Sequence, residues 1–131
     1  MSDLGSLATT RNVRVQVRPT FLPEQSDPGQ GLWMHAYRVT ITNLGERTVQ
    51  LLTRHWIITN AYAVEEHVRG PGVVGAQPVL KEGESFEYTS GCPLDTPVGT
   101  MHGTYQMVDD TGDHFDVEIA PFTLAEPHAL N

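Results

Sequence analysis

Val13-Arg14-Val15-Gln16-Val17-Arg18 alternates β-branched with charged or amide side chains at a period of two. Successive side chains of an extended chain point to opposite faces, so the three valines share one face and the polar residues the other. This is the pattern of a half-buried strand. Pro19 either ends it or places it on a sheet edge, because proline donates no ladder hydrogen bond. Pro23 to Gly31 is dense in turn formers and reads as a loop. Leu32 to Thr42 alternates again, with Trp33, His35, Tyr37, Val39 and Ile41 in phase, and Asn43-Leu44-Gly45-Glu46 is a turn signal.

Val49 to Thr59 is apolar on both faces through Leu51, Leu52, Trp56, Ile57 and Ile58. Its β-branched content and the flanking Asn60 favour a strand over a short helix. Further alternating runs cover Tyr62–Val68, Phe86–Tyr88, Gly99–Val108 and Phe115–Ile119, the last extended past Pro121 by Phe122 and Leu124. Lys81-Glu82-Gly83-Glu84 and Asp109–Asp113 read as turns. Cys92 falls in a segment that reads as loop. Seven or eight strands at intervals of about ten residues, with no amphipathic helix period, predict an all-β sandwich of antiparallel sheets or a barrel.

A chain of 131 residues suits one domain. Small polar residues at 1–10 read as a disordered lead-in, residues 11–126 as the domain, and residues 127–131 as a fraying tail. Sixteen acidic against eight basic residues, a net charge of −8, oppose binding to nucleic acid or to anionic membranes. The single cysteine forbids an internal disulfide and favours a reducing compartment. The opening residues lack the basic start and apolar run of a secretory signal, and no apolar stretch approaches the ~20 residues of a membrane span. A soluble cytoplasmic protein is the expectation.

Gly70-Pro71-Gly72-Val73-Val74-Gly75 matches G-x-G-x-x-G. In a dinucleotide fold that motif opens a helix whose N-terminus holds a pyrophosphate. Here β-branched residues and Pro78 follow, so no helix can open. Two readings stay open: a glycine-rich bend that carries the chain from one sheet to the other, or a backbone nest for a phosphate-bearing ligand. The nest would comprise Gly70, Gly72 and Gly75 with Arg69 and Arg54. The acidic hairpin offers Asp113, His114 and Asp116 to a divalent cation, without the spacing of a calcium loop; a solvated hairpin is the plainer reading. No cofactor beyond such a weak cation is expected. The six histidines lack zinc-site spacing, and His35 and His55 read as core or cross-strand partners. Neither Cys92, Ser85 nor Ser90 has the local context of a nucleophile, so an enzyme is not expected.

Four ordered blocks together are more specific than the glycine motif: Val49–Asn60, Gly70–Pro78, Tyr88–Gly91 and Gly99–Met107. They resemble the signature blocks of the ApaG family, and the likeness runs from about Val13 to Leu124. The resemblance implies a fibronectin type III-like (immunoglobulin-like) sandwich. It also implies a link to cobalt and magnesium tolerance and, from related domains inside larger eukaryotic proteins, a protein-binding role. Cys92 stands where members tend to carry a small apolar residue. The leading expectation is thus a non-enzymatic module for a protein partner. Binding of pyrophosphate or a nucleotide at residues 70–75, and of a divalent metal at residues 109–116, are the alternatives.

Overall fold

The computed structural model describes residues 4–130, which form nine strands and three single 3-10 turns. The strands are β1 (Ser6–Thr10), β2 (Val13–Phe21), β3 (Trp33–Asn43), β4 (Val49–Asn60), β5 (Glu65–Pro71), β6 (Val79–Leu80), β7 (Ser85–Leu94), β8 (Val98–Asp109) and β9 (His114–Ala125). One antiparallel sheet has the order β1-β2-β3-β7; the other has the order β5-β4-β8-β9, with β6 paired to β4. The two sheets make an all-β sandwich of the fibronectin type III and immunoglobulin kind.

The alternation read from the sequence predicts the core. Val13, Val15 and Val17 from β2 and Val39 and Ile41 from β3 are buried, and they meet Leu51, Trp56, Tyr105, Met107, Val117 and Ile119 of the facing sheet. Trp56 sits edge-on to both Tyr37 and Phe122, at ring separations of 5.3 and 5.9 Å, a geometry favoured by the ring quadrupoles.

Two β-bulges explain runs that the alternation rule misreads. In β4 the pairing shifts between Leu51 and Thr53, so the inward set changes from Val49 and Leu51 to Arg54, Trp56 and Ile58. The two-faced run is one face read across a bulge, because a one-residue insertion inverts every later side chain. In β9 the inward set changes from Val117 and Ile119 to Phe122 and Leu124 across Ala120-Pro121, a bulge position that tolerates proline.

Other expectations need correction. Residues 6–10, expected to be disordered, pair along their length with β2; residues 1–3 lie outside the described residues. β2 is therefore interior along residues 13–17, whereas at Pro19 it pairs with β3 alone, so the proline does lie on a sheet edge. Pro127–Leu130 of the expected tail forms a 3-10 turn, and residue 131 lies outside the described residues. Tyr62 to Val64 belongs to the turn before β5, where Asn60 Oδ1 accepts the amides of Tyr62 and Val64 at 2.9 and 3.0 Å. Cys92 lies within β7, opposite His35, and not in a loop. The chain crosses between sheets at residues 81–84, after β6, and not at the glycine segment.

The two long sides of the sandwich differ. On one, β1 and β9 close against each other: Thr123 N–H donates to Leu4 O at 3.0 Å and Glu118 N–H to Thr10 Oγ1 at 3.1 Å. On the other, β5 and β7 are the outer strands of their sheets and do not pair, which leaves a cleft between the layers.

Candidate binding cleft

The glycine segment is built around the β4 bulge. Leu52 O, freed from the regular ladder, accepts Gly72 N–H at 2.8 Å and Gln77 Nε2 at 2.9 Å. Arg54 returns the contact: its Nη1 donates to Pro71 O and to Gly72 O, each at 2.9 Å. Val73 and Ala76 exchange both backbone hydrogen bonds at 2.8 and 2.9 Å, closing a two-residue hairpin. Its central residues have positive φ, 43° at Val74 and 82° at Gly75, as a type I′ turn requires. Glycine suits that conformation; the β-branched Val74 is strained in it.

Each motif glycine thus has a structural cause. A Cβ on Gly72 would lie 2.2 Å from Ala76 O, and one on Gly70 would lie 3.0–3.1 Å from the Arg54 guanidinium. Gly70 lets that guanidinium lie across β5. The amides of Val73 and Ala76 are spent inside the segment and that of Gly72 on Leu52 O of β4, and Arg54 turns two carbonyl oxygens toward itself. The expected nest is therefore largely closed on itself. Arg69 pairs with His55 on the outer face of the sheet and Arg54 follows Trp56 on the inner face, yet both line an open 590 Å3 depression at the strand edge with Gly70 and Pro71.

Arg54 also faces the cleft on the open side. A 230 Å3 space there is lined by Arg54, Trp56 and Ile58 of β4, Glu66 and Val68 of β5, Met101 of β8, Tyr37 of β3, and residues 90–93 of β7. It shares Ile58, Glu66 and Pro93 with a neighbouring 270 Å3 space that reaches Asn60, Val64 and Asp95. The two form one groove with an apolar floor, a cation at one end and carboxylates along and beyond it.

Burial sets the titration of the groups behind this groove. It raises the Tyr37, Tyr88 and Tyr105 phenols above their ordinary value, partly offset at each by the charge of Arg54. Tyr88 and Tyr105 satisfy each other with a buried hydroxyl–hydroxyl hydrogen bond. Burial, with a smaller contribution from Glu66, pushes the Cys92 thiol up to about 11, so it is a neutral thiol at neutral pH. His35 is buried against Phe21, as expected of a core histidine, with its pKa lowered by burial.

The acidic hairpin is organised by protein contacts. Asp109 Oδ1 accepts Thr111 N, Thr111 Oγ1 and Asp113 N at 2.9, 2.6 and 3.1 Å. Asp113 pairs with Arg11 at 2.9 Å, and that guanidinium also stacks 4.3 Å from the Phe115 ring centroid. Asp116 points outward near Gln106, and Asp113, His114 and Asp116 are not assembled as a metal-holding group among the described residues.

On the outer face, His55 Nε2 and His67 Nδ1 share a hydrogen bond of 2.9 Å, and His67 Nε2 approaches Glu65 at 3.3 Å. His55 was expected as a core or cross-strand partner; it is the latter. Desolvation lowers its pKa, with Arg69, His67 and His102 adding to the effect.

Residues 23–109, which include every strand lining the cleft, match the DUF525 family, the ApaG domain. The chain belongs to the ApaG family. A Protein ApaG from Paramagnetospirillum magneticum is 55% identical over 120 residues, covering 92% of each chain. The Protein ApaG of Bordetella pertussis is 53% identical over the same share. A crystal structure of a Bordetella pertussis protein described as ApaA superposes with a TM-score of 0.85 at 51% identity, covering 95% of this chain and 97% of that one. The C-terminal domain of wzt, at 8% identity and a TM-score of 0.55, is similar in fold alone. Beyond Arg54, the cleft residues were not singled out from sequence. Arg54, Trp56 and Ile58 are legible there as one phase, but their partners on β5, β7 and β8 are not.

Proposed function

We propose that this ApaG domain is a non-enzymatic protein-binding module that engages its partner along the open side of the sandwich. The observation that supports the reading is the groove between β5 and β7, with its apolar floor and two outer strands lacking a neighbour on that side. An unpaired strand edge offers backbone donors and acceptors to an added chain, and flanking pockets supply selectivity. The rim adds Tyr62, 81% exposed, and Val64, 61% exposed, on the turn that Asn60 holds. Aromatic side chains held out on an ordered turn are characteristic binding anchors.

The nucleotide and metal readings find less support. The amides of Gly72, Val73 and Ala76 are already committed to protein carbonyls, and Asp113 is neutralised by Arg11. A neutral Cys92 thiol fits a binding role in a reducing, cytoplasmic setting. A part in cobalt or magnesium tolerance would then be indirect, through the partner.

Affinity capture with paired baits tests this. The wild type and Thr104→Glu, altered on the outer face, should retain the same partner from source-cell lysate, and Val68→Glu, altered in the groove, should lose it. Equal capture by all three baits removes the open side as the binding face.

A further inference from the structure

Arg54 is the half-buried arginine among the described residues; Arg14, Arg18 and Arg69, which likewise form no ion pair there, are exposed. Arg11, Arg38 and Arg47 each pair with a carboxylate. Arg54 pairs with none among the described residues, although the chain carries sixteen acidic side chains against eight basic ones. Its Nη1 is held by two carbonyl oxygens, and Gly70 leaves room for the guanidinium to lie across β5. The group is therefore oriented before any ligand arrives, while Nη2 and Nε have protons to spare. A half-buried, pre-oriented guanidinium favours a planar carboxylate, which it can bind with two hydrogen bonds.

We infer that the groove receives the C-terminal end of an extended peptide, with the terminal carboxylate on Arg54. This rests on the reading of the open side as a protein-binding face. Three features select that occupant. The space between Arg54 and β7 is 230 Å3, suited to one large side chain, and it continues into the 270 Å3 space toward Asp95, which gives the groove the elongated form an extended chain needs. Trp56, Ile58, Val68 and Met101 make its wall apolar. An aspartate or glutamate side chain would spend its whole length on the charge and leave that wall bare. A C-terminal apolar residue brings a carboxylate and an apolar side chain together.

Direction follows from the same residues. Ser90 of β7 lies at the Arg54 end, and Leu94 and Asp95 lie at the far end with Asn60. A peptide that ends at Arg54 thus runs antiparallel to β7, which lets it add to that edge in the more stable pairing mode. Its upstream residues pass Glu66 and Asp95, so lysine or arginine is favoured before the apolar terminus.

The probe is a synthetic pool of random octapeptides, prepared once with free C-terminal carboxylates and once as C-terminal amides, selected on the immobilised full chain. Free acids ending in Ile, Leu, Val or Phe should be enriched about tenfold or more over the matching amides, the worth of a charge-assisted contact. Arg54→Gln should abolish that acid-over-amide ratio, Arg54→Lys should keep part of it, and unchanged melting temperatures would show that both variants fold. Equal enrichment of acids and amides overturns the carboxylate assignment; if that enrichment still depends on Val68, the open side survives as a peptide-binding face. A pool in which nothing is enriched over Arg54→Gln also overturns the assignment, and the fate of the protein-binding reading is then given by the paired-bait capture.

Discussion

The closed and open sides of the sandwich use the same kind of strand to opposite ends. On the closed side β1 and β9 meet, and the adjoining turns are tied by Arg11 to Asp109 and Asp113. On the open side β5 and β7 stand apart, and their inward residues line a groove instead of touching. Apolar side chains packed on all sides contribute stability; those left facing a groove contribute less and stay available for a ligand. The ApaG match at residues 23–109 spans the groove strands and leaves β1, β2 and β9 outside it.

Stability measurements probe this contrast most strongly. Ile119→Ala, on β9, should cost about 2–5 kcal/mol in urea unfolding, because it opens a cavity in a close-packed core. Val68→Ala, in the groove, should cost less than about 1.5 kcal/mol, since its side chain is already partly in contact with water. Comparable losses at the two positions would mean that the open side is packed as tightly as the closed one.

Cys92 gives a kinetic view of the same groove. With its thiol raised from 9.0 to about 11, it should hold about a hundredfold less thiolate at pH 8 than an unperturbed cysteine. Iodoacetamide labelling should be correspondingly slow and should accelerate as the pH rises toward 11. Labelling at pH 8 as fast as in the urea-unfolded chain would show the groove floor to be more open than described.

A gain is expected at the strained hairpin tip beside Arg54. Val74→Asn places a residue tolerant of positive φ in the type I′ turn and should stabilise by about 1 kcal/mol. A lower thermal midpoint for this variant would show that Val74 is not strained in solution.

The smallest effects separate the two sides by pH. The folded pKa of His55, beside the open-edge strand β5, lies below the ordinary 6.5. The unfolded chain therefore takes up the proton first, and stability is lost as pH falls below 6.5. Asp109, held at the closed side, is lowered below 3.8 chiefly by its hydrogen bond from Thr111, so its contribution is present above 3.8 and lost as pH falls through the folded value. His55→Gln should lessen the first decline, to which buried His35 also contributes, and Asp109→Asn the second, to which Glu87 also contributes; one variant that altered both windows would show the sides to be coupled.

Much of the fold is legible in the residues. Val13, Val15 and Val17 announce an inward face, and Asn43-Leu44-Gly45 and Asp109–Asp113 announce turns. The misreadings have local causes. Residues 6–10 carry a weak pattern of their own and are ordered by pairing with β2. The bulge at Leu52 makes one face look like two. Of the candidate site, Arg54 was legible as a cation near the glycine segment, yet its orientation was not, because that depends on where the bulge turns it.

The sequence by itself determined the all-β class, the inward set of each regular strand and the impossibility of a helix after Gly75, since all three follow from period, proline and φ preference within a few residues. Only the tertiary structure decided which strands are neighbours, that one side closes and the other stays open, and that Arg54 faces a groove without a carboxylate partner among the described residues. Those depend on pairings between segments far apart along the chain, and no local pattern encodes which edge is left free.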